Sequence, residues 1–196
     1  MSRRAGEQTL TTDETLALGL QQGRTEDMAT LVERHYDALV GYLYRLGGGE
    51  RELAVDLAQE TFLQALKKAH QYQYPRPFKP WLYAIATNLA RNHLKRAETR
   101  LTRPAGDRPL AGTPADTPEE AIVAADEAHR VAALLAMLPA GQHEVIILRY
   151  YQELDLAEIA AVLNIPIGTV KSRLSLGLHR LRALLEQEDE LPTPGR

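Results

Sequence analysis

The stretch "LDLAEIAAVLNIPIGTVKSRLSLGLHRLR", Leu154 to Arg182, decides the fold. Its first part predicts a short helix, in which Asp155 is the N-cap and Glu158 completes a capping box. Asn164 suits the left-handed residue that ends a helix, and Pro166 suits the first turn of the next one. The stretch therefore predicts two helices joined by a tight turn.

The second of these helices has one apolar face and one basic face. Its apolar residues recur at three- and four-residue intervals, which predicts a buried stripe of Val170, Leu174, Leu178, Leu181 and Leu185. The opposite side carries Lys and Arg together with short hydroxyl donors. Such a helix is typical of the recognition helix of a helix-turn-helix, which fits the major groove of B-DNA. The alternative is an ordinary helical hairpin with a solvated polar face, and spacing alone does not decide between the two.

Composition limits the classes of protein that fit. The chain has 196 residues, no cysteine and a formal net charge of −3, so it can form one or two small domains without disulfides or thiolate metal sites. Its 6 histidines are scattered, and no HExxH or repeated ExxH pattern is present. We therefore expect no metal site and no cofactor. No nucleophile, base and orienting group cluster in the sequence either, which disfavours an enzyme.

Charge is distributed unevenly along the chain. Between Lys67 and Arg103 there are nine Lys or Arg residues and a single acid, Glu98. The acids concentrate elsewhere, as expected if separate surfaces meet nucleic acid and protein. No apolar run approaches the length of a membrane span, and the N-terminus shows no signal-peptide pattern. These features predict a cytoplasmic protein without membrane insertion.

The periodic segments are all helical, which predicts an all-α fold. A short helix with a Thr11/Glu14 capping box is followed by helices at 25–46, 51–69 and 81–100, the last with Leu94 on its buried face. Residues 101–117 are rich in Pro, Gly and Ala and predict a flexible linker, after which Thr117, Pro118 and Glu120 restart a helix. The predicted organisation is an N-terminal extension (1–24), a helical domain (25–100), the linker (101–117), a helix-turn-helix domain (118–187) and a tail (188–196).

Three ordered motifs carry a resemblance to a known family: "AVDLAQETFLQAL", "PFKPWLYAIATNLARNHLKR" and "LPAGQHEVIILRYYQELDLAEIAAVLNIPIGTVKSRL". They resemble the signatures of bacterial extracytoplasmic-function (ECF) sigma factors, the promoter-recognition subunits of RNA polymerase. The resemblance implies two small helical domains, one that melts and reads the −10 promoter element and one that reads the −35 element. It also implies core RNA polymerase and promoter DNA as partners. An anti-sigma factor, which holds many members of the family inactive, is a further candidate partner.

The resemblance assigns residues to three contacts. The polar edge within "DLAQETF" and the leucine after it is expected to bind the polymerase through Asp56, Gln59, Glu60 and Leu63. The loop "HQYQYPRPFKPW" and the next helix offer rings that stack on unpaired bases and cations that hold phosphate. The −10 residues predicted there are Tyr72, Tyr74, Arg76, Lys79, Asn88, Arg91, Asn92, Lys95 and Arg96. The predicted −35 residues are Thr169, Lys171, Ser172, Arg173, Ser175 and Leu176.

Some assignments stay open at the level of sequence. Thr87, Asn92 and Lys95 stand where the family commonly has Arg, Asp and Arg, so contact with the DNA backbone is expected there rather than a defined base contact. Phe78 and Trp81 are expected in the core, with the loop tyrosines and cations exposed. The alternative function is a helix-turn-helix regulator that does not join polymerase, and a non-catalytic adaptor is a further one. A regulator of that kind leaves the "DLAQETF" edge and the aromatic loop without a role.

Overall fold

A computed structural model describes residues 11–101, 131 and 133–189, with side chains described over 11–96, 131 and 133–187. All regular secondary structure in these ranges is helical, which confirms the all-α prediction. The predicted linker after residue 101 and the helix restart at Thr117, Pro118 and Glu120 lie outside the described residues. Within the described ranges, no helix combines the length and the apolar character needed to cross a membrane.

The N-terminal half is a bundle around one shared core. Its elements are α1 (Asp13–Gln21), α2 (Asp27–Leu46), α3 (Arg51–Lys67), a 3-10 turn (Ala69–Gln71) and α4 (Phe78–Leu101). The helices α1, α3 and α4 all pack against α2. Their shared core includes the fully buried Leu31, Tyr42, Ala58 and Leu82. Burying one large apolar side chain contributes about 1.5–3 kcal/mol, so this core fixes the helices relative to one another.

The helix α2 ends at Leu46, as predicted, and is followed by three glycines at 47–49. Gly48 and Gly49 have φ angles of 73° and 92°, in the left-handed region that a side chain disfavours. The Gly49 amide donates to the Tyr44 carbonyl at 2.8 Å, which satisfies one of the last acceptors of the helix. The chain turns here, so that α3 can pack against α2.

Three local predictions for the N-terminal half were wrong. α1 is capped by Thr12, whose hydroxyl accepts a helix amide, and not by Thr11. α4 begins at Phe78 rather than at residue 81, because the Glu14 carboxylate accepts the Phe78 amide at 3.2 Å. Leu94 is 38% exposed rather than buried, because α4 from residue 92 to residue 96 lies at the surface.

The C-terminal half contains the predicted helix-turn-helix. Its elements are α5 (Ala140–Tyr150), α6 (Leu156–Leu163) and α7 (Ile167–Asp189). The capping box of α6 is confirmed: the Asp155 side chain accepts from helix amides, and the Glu158 carboxylate accepts from the Asp155 amide at 2.8 Å. Asn164 ends α6 in the left-handed conformation, with φ and ψ both 52°. The helices α6 and α7 pack against α5 and against each other.

Close packing of α7 on α5 depends on Gly177. A Cβ at this position would lie 2.8 Å from Cδ1 of Ile146 and 3.2 Å from Cβ of Gln142, so a larger residue would push the two helices apart. The side chains of Gln142 and Ile146 on α5 therefore pack directly against the backbone of α7 at Gly177.

The apolar stripe of α7 is buried only in part. Val170 is fully buried, and Leu174 and Leu181 are half-buried. The prediction was wrong for Leu178 and Leu185, which are 37% and 42% exposed. Among residues 182–187 only Leu184 is half-buried and the others are exposed, so this end of α7 extends beyond the described core.

The two halves of the chain also pack against each other. α4 lies against α6, and α2 lies against α5. Sequence periodicity gave no indication of this contact, since it assigns a polar edge of α4 to DNA. The contact therefore affects which of the predicted DNA-binding residues on α4 are exposed.

Candidate nucleic-acid and polymerase interfaces

The outer face of α7 brings the predicted −35 residues together. Leu176 keeps 54% of its surface in solvent, in the middle of this face. The exposed members of the set are Lys171, Ser172, Ser175 and Leu176, and the half-buried ones are Thr169 and Arg173. An exposed mixture of cations, hydroxyls and one apolar side chain can reach phosphates, base edges and a thymine methyl group.

Arg173 is held against the start of α5. A Cβ on Gly141 would lie 2.8 Å from Cζ of Arg173, so the guanidinium lies directly over that backbone. Further along α7, Arg180 donates to Oε1 of Gln142 at 3.1 Å. Arg173 is therefore half-buried against α5, whereas Lys171, Ser172 and Ser175 of the same helix are exposed.

The predicted polymerase edge forms an outer surface of α3. Asp56, Gln59 and Leu63 are exposed, and Leu63 keeps 52% of its surface in solvent. Glu60 is half-buried, and its carboxylate accepts from Nε2 of Gln64 at 2.7 Å. An exposed leucine beside two acids and an amide is the composition of a protein-docking surface.

The aromatic loop before α4 is only partly exposed. Tyr74 is 52% exposed and Arg76 is exposed, as predicted. Tyr72 is only 3% exposed, so the prediction that its ring is free to stack on bases was wrong. Its ring centroid lies 5.4 Å from that of Trp81, and its hydroxyl donates to the Arg76 carbonyl. Burial, with a smaller contribution from the Glu14 charge, raises the pKa of Tyr72 to about 12.

A groove between α3 and α4 collects several of the predicted −10 residues. Asn88 and Asn92 line it together with the half-buried Trp81. Sequence reasoning missed the groove residues on the other side, which are Gln64, Lys68 and Gln71. Their spacing of three and four residues, next to the basic segment, was the available signal. Lys95 and Arg96 continue the exposed edge of α4 beyond the groove.

Two of the predicted −10 cations are instead engaged by the C-terminal half. Nε and Nη2 of Arg91 donate to the two carboxylate oxygens of Glu144 on α5, at 2.5 and 2.6 Å. Nζ of Lys79 donates to the Gln152 carbonyl at 2.7 Å. In this arrangement neither cation is available to hold phosphate.

Gln152, in the turn after α5, is the centre of the contact between the halves. Its Oε1 accepts from the Tyr83 hydroxyl at 2.5 Å, and its Nε2 donates to the Ala38 carbonyl at 3.4 Å. The neighbouring Tyr151 ring lies 4.1 Å below the guanidinium of Arg45, a cation–π distance. One short turn therefore contacts both α2 and α4.

Ionisation at this contact follows from burial and from the Arg–Glu pair. Hydrogen bonding to Glu144 raises the pKa of Arg91, against the smaller opposing effect of burial. Burial lowers the pKa of His143 to about 4, although the Glu144 charge acts in the opposite direction. Burial also raises the pKa of Tyr42 and of Tyr83. At neutral pH the contact thus contains a charged Arg–Glu pair beside a neutral histidine and neutral phenols.

Thr87, where the family commonly has Arg, is an interior residue. It is fully buried, and its hydroxyl lies 2.7 Å from the Tyr42 hydroxyl and donates to the Tyr83 carbonyl at 2.6 Å. This position therefore serves the core of the N-terminal half and offers no DNA contact in the present arrangement.

Comparison with known proteins assigns both halves of the chain to one family. The family descriptions sigma-70 region 2 and sigma-70 region 4 match residues 31–100 and 128–181. The ECF RNA polymerase sigma factor SigW of Bacillus subtilis is 33% identical over 177 residues, covering 85% of this chain and 92% of its own. The sigma factor CnrH of Cupriavidus metallidurans is 31% identical and covers 91% of this chain and 96% of its own.

Solved structures agree with this assignment. CnrH in complex with the cytosolic domain of CnrY matches 89% of this chain and 97% of its own, with a TM-score of 0.69 and 28% identity. The sigma factor RpoE of Bartonella quintana, in complex with the anti-sigma factor NepR, matches 83% of this chain and 98% of its own, with a TM-score of 0.68 and 25% identity. The chain therefore belongs to the extracytoplasmic-function sigma factors, the subunits that direct RNA polymerase to promoters for the initiation of transcription.

Proposed function

We propose that this sigma factor uses three separate surfaces: the α3 edge for core polymerase, the loop–α4 region for the −10 element and the outer face of α7 for the −35 element. The observation that carries the proposal is the exposure of the α3 edge and the α7 face on different halves of one chain. Separate surfaces let the protein hold polymerase and DNA at the same time. No catalytic chemistry is required of its side chains, and the cytoplasm, where polymerase works, is the proposed site of action.

At the −35 element we propose that α7 enters the major groove. Lys171, Ser172, Arg173 and Ser175 are the proposed polar contacts, with Leu176 against a thymine methyl group. Thr169 at the start of the helix meets a phosphate, where the positive end of the helix favours an anion. A bidentate contact from Arg173 to guanine would contribute about 1–3 kcal/mol of base discrimination.

At the −10 element we propose that the unpaired strand lies in the groove between α3 and α4. The groove offers an indole ring for stacking and amides for hydrogen bonds to base edges, from Trp81, Asn88 and Asn92. Tyr74 and Arg76 approach the strand from the loop, and Lys79, Arg91, Lys95 and Arg96 hold its backbone. Tyr72 is left out of the contact set, since its ring supports the loop from inside.

DNA binding by α4 requires that the two halves separate. Arg91 and Lys79 can reach phosphate only after their contacts with Glu144 and Gln152 are broken. We propose that the packed arrangement is the resting form of the free protein and that polymerase binds the separated form. CnrH and RpoE were solved in complex with CnrY and with NepR. By analogy, an anti-sigma factor that favours the packed form is the proposed regulator here.

Run-off transcription with purified core polymerase on genomic DNA tests the function as a whole. The expected result is a set of defined start sites that share one −10 and one −35 sequence and that disappear when this protein is omitted. If the protein binds duplex DNA alone but gives no start sites with core polymerase, it is a helix-turn-helix regulator and the proposal is wrong.

A further inference from the structure

Helix α1 holds both ends of the aromatic loop. At the first end, Nε2 of Gln21, the last residue of α1, donates to the Tyr72 carbonyl at 2.5 Å. At the second end, Oε1 of Glu14, in the first turn of α1, accepts from the Phe78 amide at 3.2 Å. The loop between these two points carries Tyr74 and Arg76, which are exposed. One side of one helix therefore fixes where the loop leaves and rejoins the core.

α1 is itself firmly attached to the rest of the N-terminal half. Its apolar side is buried through Leu16, Ala17 and Leu20. Asp13 accepts from Nη1 of Arg34 at 2.7 Å and lies 2.6 Å from Nε2 of His35, both on α2. A helix attached in this way provides a fixed reference for the loop rather than a mobile arm.

The constraint extends from the loop to the groove. The Tyr72 ring lies 5.4 Å from Trp81 and 6.1 Å from Phe78, and the rings of Phe78 and Trp81 are 5.7 Å apart. Trp81 lines the groove between α3 and α4. A shift of either end of the loop would move this three-ring cluster, and with it the indole that faces the groove.

We propose that α1 positions the −10 reading surface, and that Gln21 and Glu14 are its positioning residues. The proposal rests on the −10 contact proposed above and adds that helix α1 positions the residues of that contact before DNA binds. A loop fixed in advance loses less conformational freedom when it captures an unpaired strand, so more of the contact energy appears as affinity. The segment that the sequence set apart as an N-terminal extension becomes a working part of promoter opening.

The test compares variants that remove one loop contact and leave the α1 core in place. Gln21→Met keeps the length of the side chain and removes the donor to the Tyr72 carbonyl, and Glu14→Met removes the acceptor for the Phe78 amide. Each should weaken binding of the full-length holoenzyme to a fluorescent single-stranded −10 oligonucleotide by about 2- to 10-fold, the effect of one lost hydrogen bond. Glu14→Gln, unlike Glu14→Met, retains an acceptor oxygen, so its affinity for the oligonucleotide should stay close to the wild-type value.

Two further measurements separate positioning from loss of structure. Affinity for core polymerase and affinity of the holoenzyme for a −35 duplex should stay at wild-type values in all these variants. Gln22→Met is the matched control, because the Gln22 side chain accepts a hydrogen bond from Arg24 and has no described hydrogen bond to the loop. If core binding falls in parallel with oligonucleotide binding, or if Gln21→Met binds like the wild type, the positioning role is wrong.

The proposed −10 surface is checked in the same assay by Asn88→Ala and Tyr74→Ala. If these variants weaken oligonucleotide binding while Gln21→Met and Glu14→Met do not, the −10 surface stands and the role of α1 is overturned. If Asn88→Ala and Tyr74→Ala also bind normally, the surface itself is misassigned, and the role of α1 is overturned with it.

Discussion

The two basic helices of this protein, α4 and α7, differ in whether particular predicted DNA-binding cations are covered by the rest of the fold. Lys171 on the outer face of α7 is exposed. Arg91 on α4 is bound by both carboxylate oxygens of Glu144, and Lys79 by the Gln152 carbonyl. A basic helical edge in a sequence therefore identifies a polar surface but does not indicate whether other parts of the fold cover that surface.

Reversing the charge on the exposed α3 edge should have the largest effect, which is a loss of affinity for core polymerase. It tests whether this exposed surface is a binding surface. The double variant Asp56→Lys, Glu60→Lys places cations where the proposed polymerase contact needs acids. We expect affinity for core polymerase to fall on the order of 100-fold, since like-charge juxtaposition at an interface costs several kcal/mol. Titration of labelled core polymerase measures it, with Glu33→Lys on the exposed side of α2 as the control. Wild-type affinity in the double variant would assign docking to another surface.

Removing the charge that covers α4 should change binding with the opposite sign. Glu144 is 5% exposed and Arg91 is 32% exposed at the side chain, so the pair is shielded on one side only. Glu144→Gln should weaken packing of the two halves by about 1–2 kcal/mol, the usual contribution of a hydrogen bond to a charged group with some loss to solvent screening. Affinity for −10 DNA and for polymerase should then rise, because less of the protein rests in the packed form.

Distance measurements can follow this opening directly. The chain has no cysteine, so dyes can be attached at Glu33→Cys and Arg182→Cys, both exposed positions in different halves. Glu144→Gln should lower the energy transfer between them. Arg91→Ala should open the protein equally but lose DNA affinity, which separates the two roles of the arginine. An unchanged distance in both variants would show that the pair does not hold the halves together.

Many local features of the fold could be predicted from the sequence because they depend on neighbouring residues. The Asp155–Glu158 capping box and the left-handed Asn164 involve groups within one or two turns, and the structure confirms them. The features that affect the proposed sites and were missed involve distant partners. Glu14 caps α4 from 64 residues away, Gln21 bonds a carbonyl 51 residues away, and Arg91 pairs with an acid 53 residues away. No periodicity within a helix contains such information.

One residue type did give a usable signal for the covered site. Glu144 directly precedes the apolar run Val145–Leu148 of α5 and is 4% exposed. An acid is almost never fully buried unless it is paired, so its position directly before a buried apolar run indicates a cationic partner elsewhere in the fold. The sequence could have suggested that one of the predicted DNA-binding cations is taken, though not which one.

Arg173→Ala tests base reading by α7, and Arg96→Ala tests backbone holding by the exposed end of α4. The first variant should cost about 1–3 kcal/mol of discrimination and relax preference at one −35 position, as the loss of a base contact does. Arg96→Ala on α4 should instead weaken all promoters alike and reduce the salt slope of binding by about 1. Competition binding on a promoter library at several salt concentrations measures both. If Arg173→Ala weakens binding to all promoters equally, Arg173 contacts a phosphate and does not read a base.

Lowering the pH should weaken only the contact between the two halves, through His143, and this is the smallest of the expected effects. His143 on α5 is buried, its Nε2 has no hydrogen-bond partner among the described residues, and its ring bonds the Arg45 backbone of α2. Its pKa of about 4 lies below the ordinary value of 6.5 because burial disfavours the cation, and Glu144 offsets that only in part. If separating the halves exposes the ring, the separated form binds a proton more readily than the packed form as pH falls below 6.5.

The packed arrangement is therefore fully favoured above that pH and is weakened as pH falls from 6.5 towards 4. Between pH 8 and pH 6 the expected loss is about 1 kcal/mol. Energy transfer between the two dyes should fall over this range in the wild type. His143→Gln keeps a donor for the Arg45 carbonyl but cannot titrate, so its energy transfer should stay flat. Binding of a −35 duplex by α7, which lies away from this contact, should show no matching change. A fall of equal size in His143→Gln would place the pH dependence on another group.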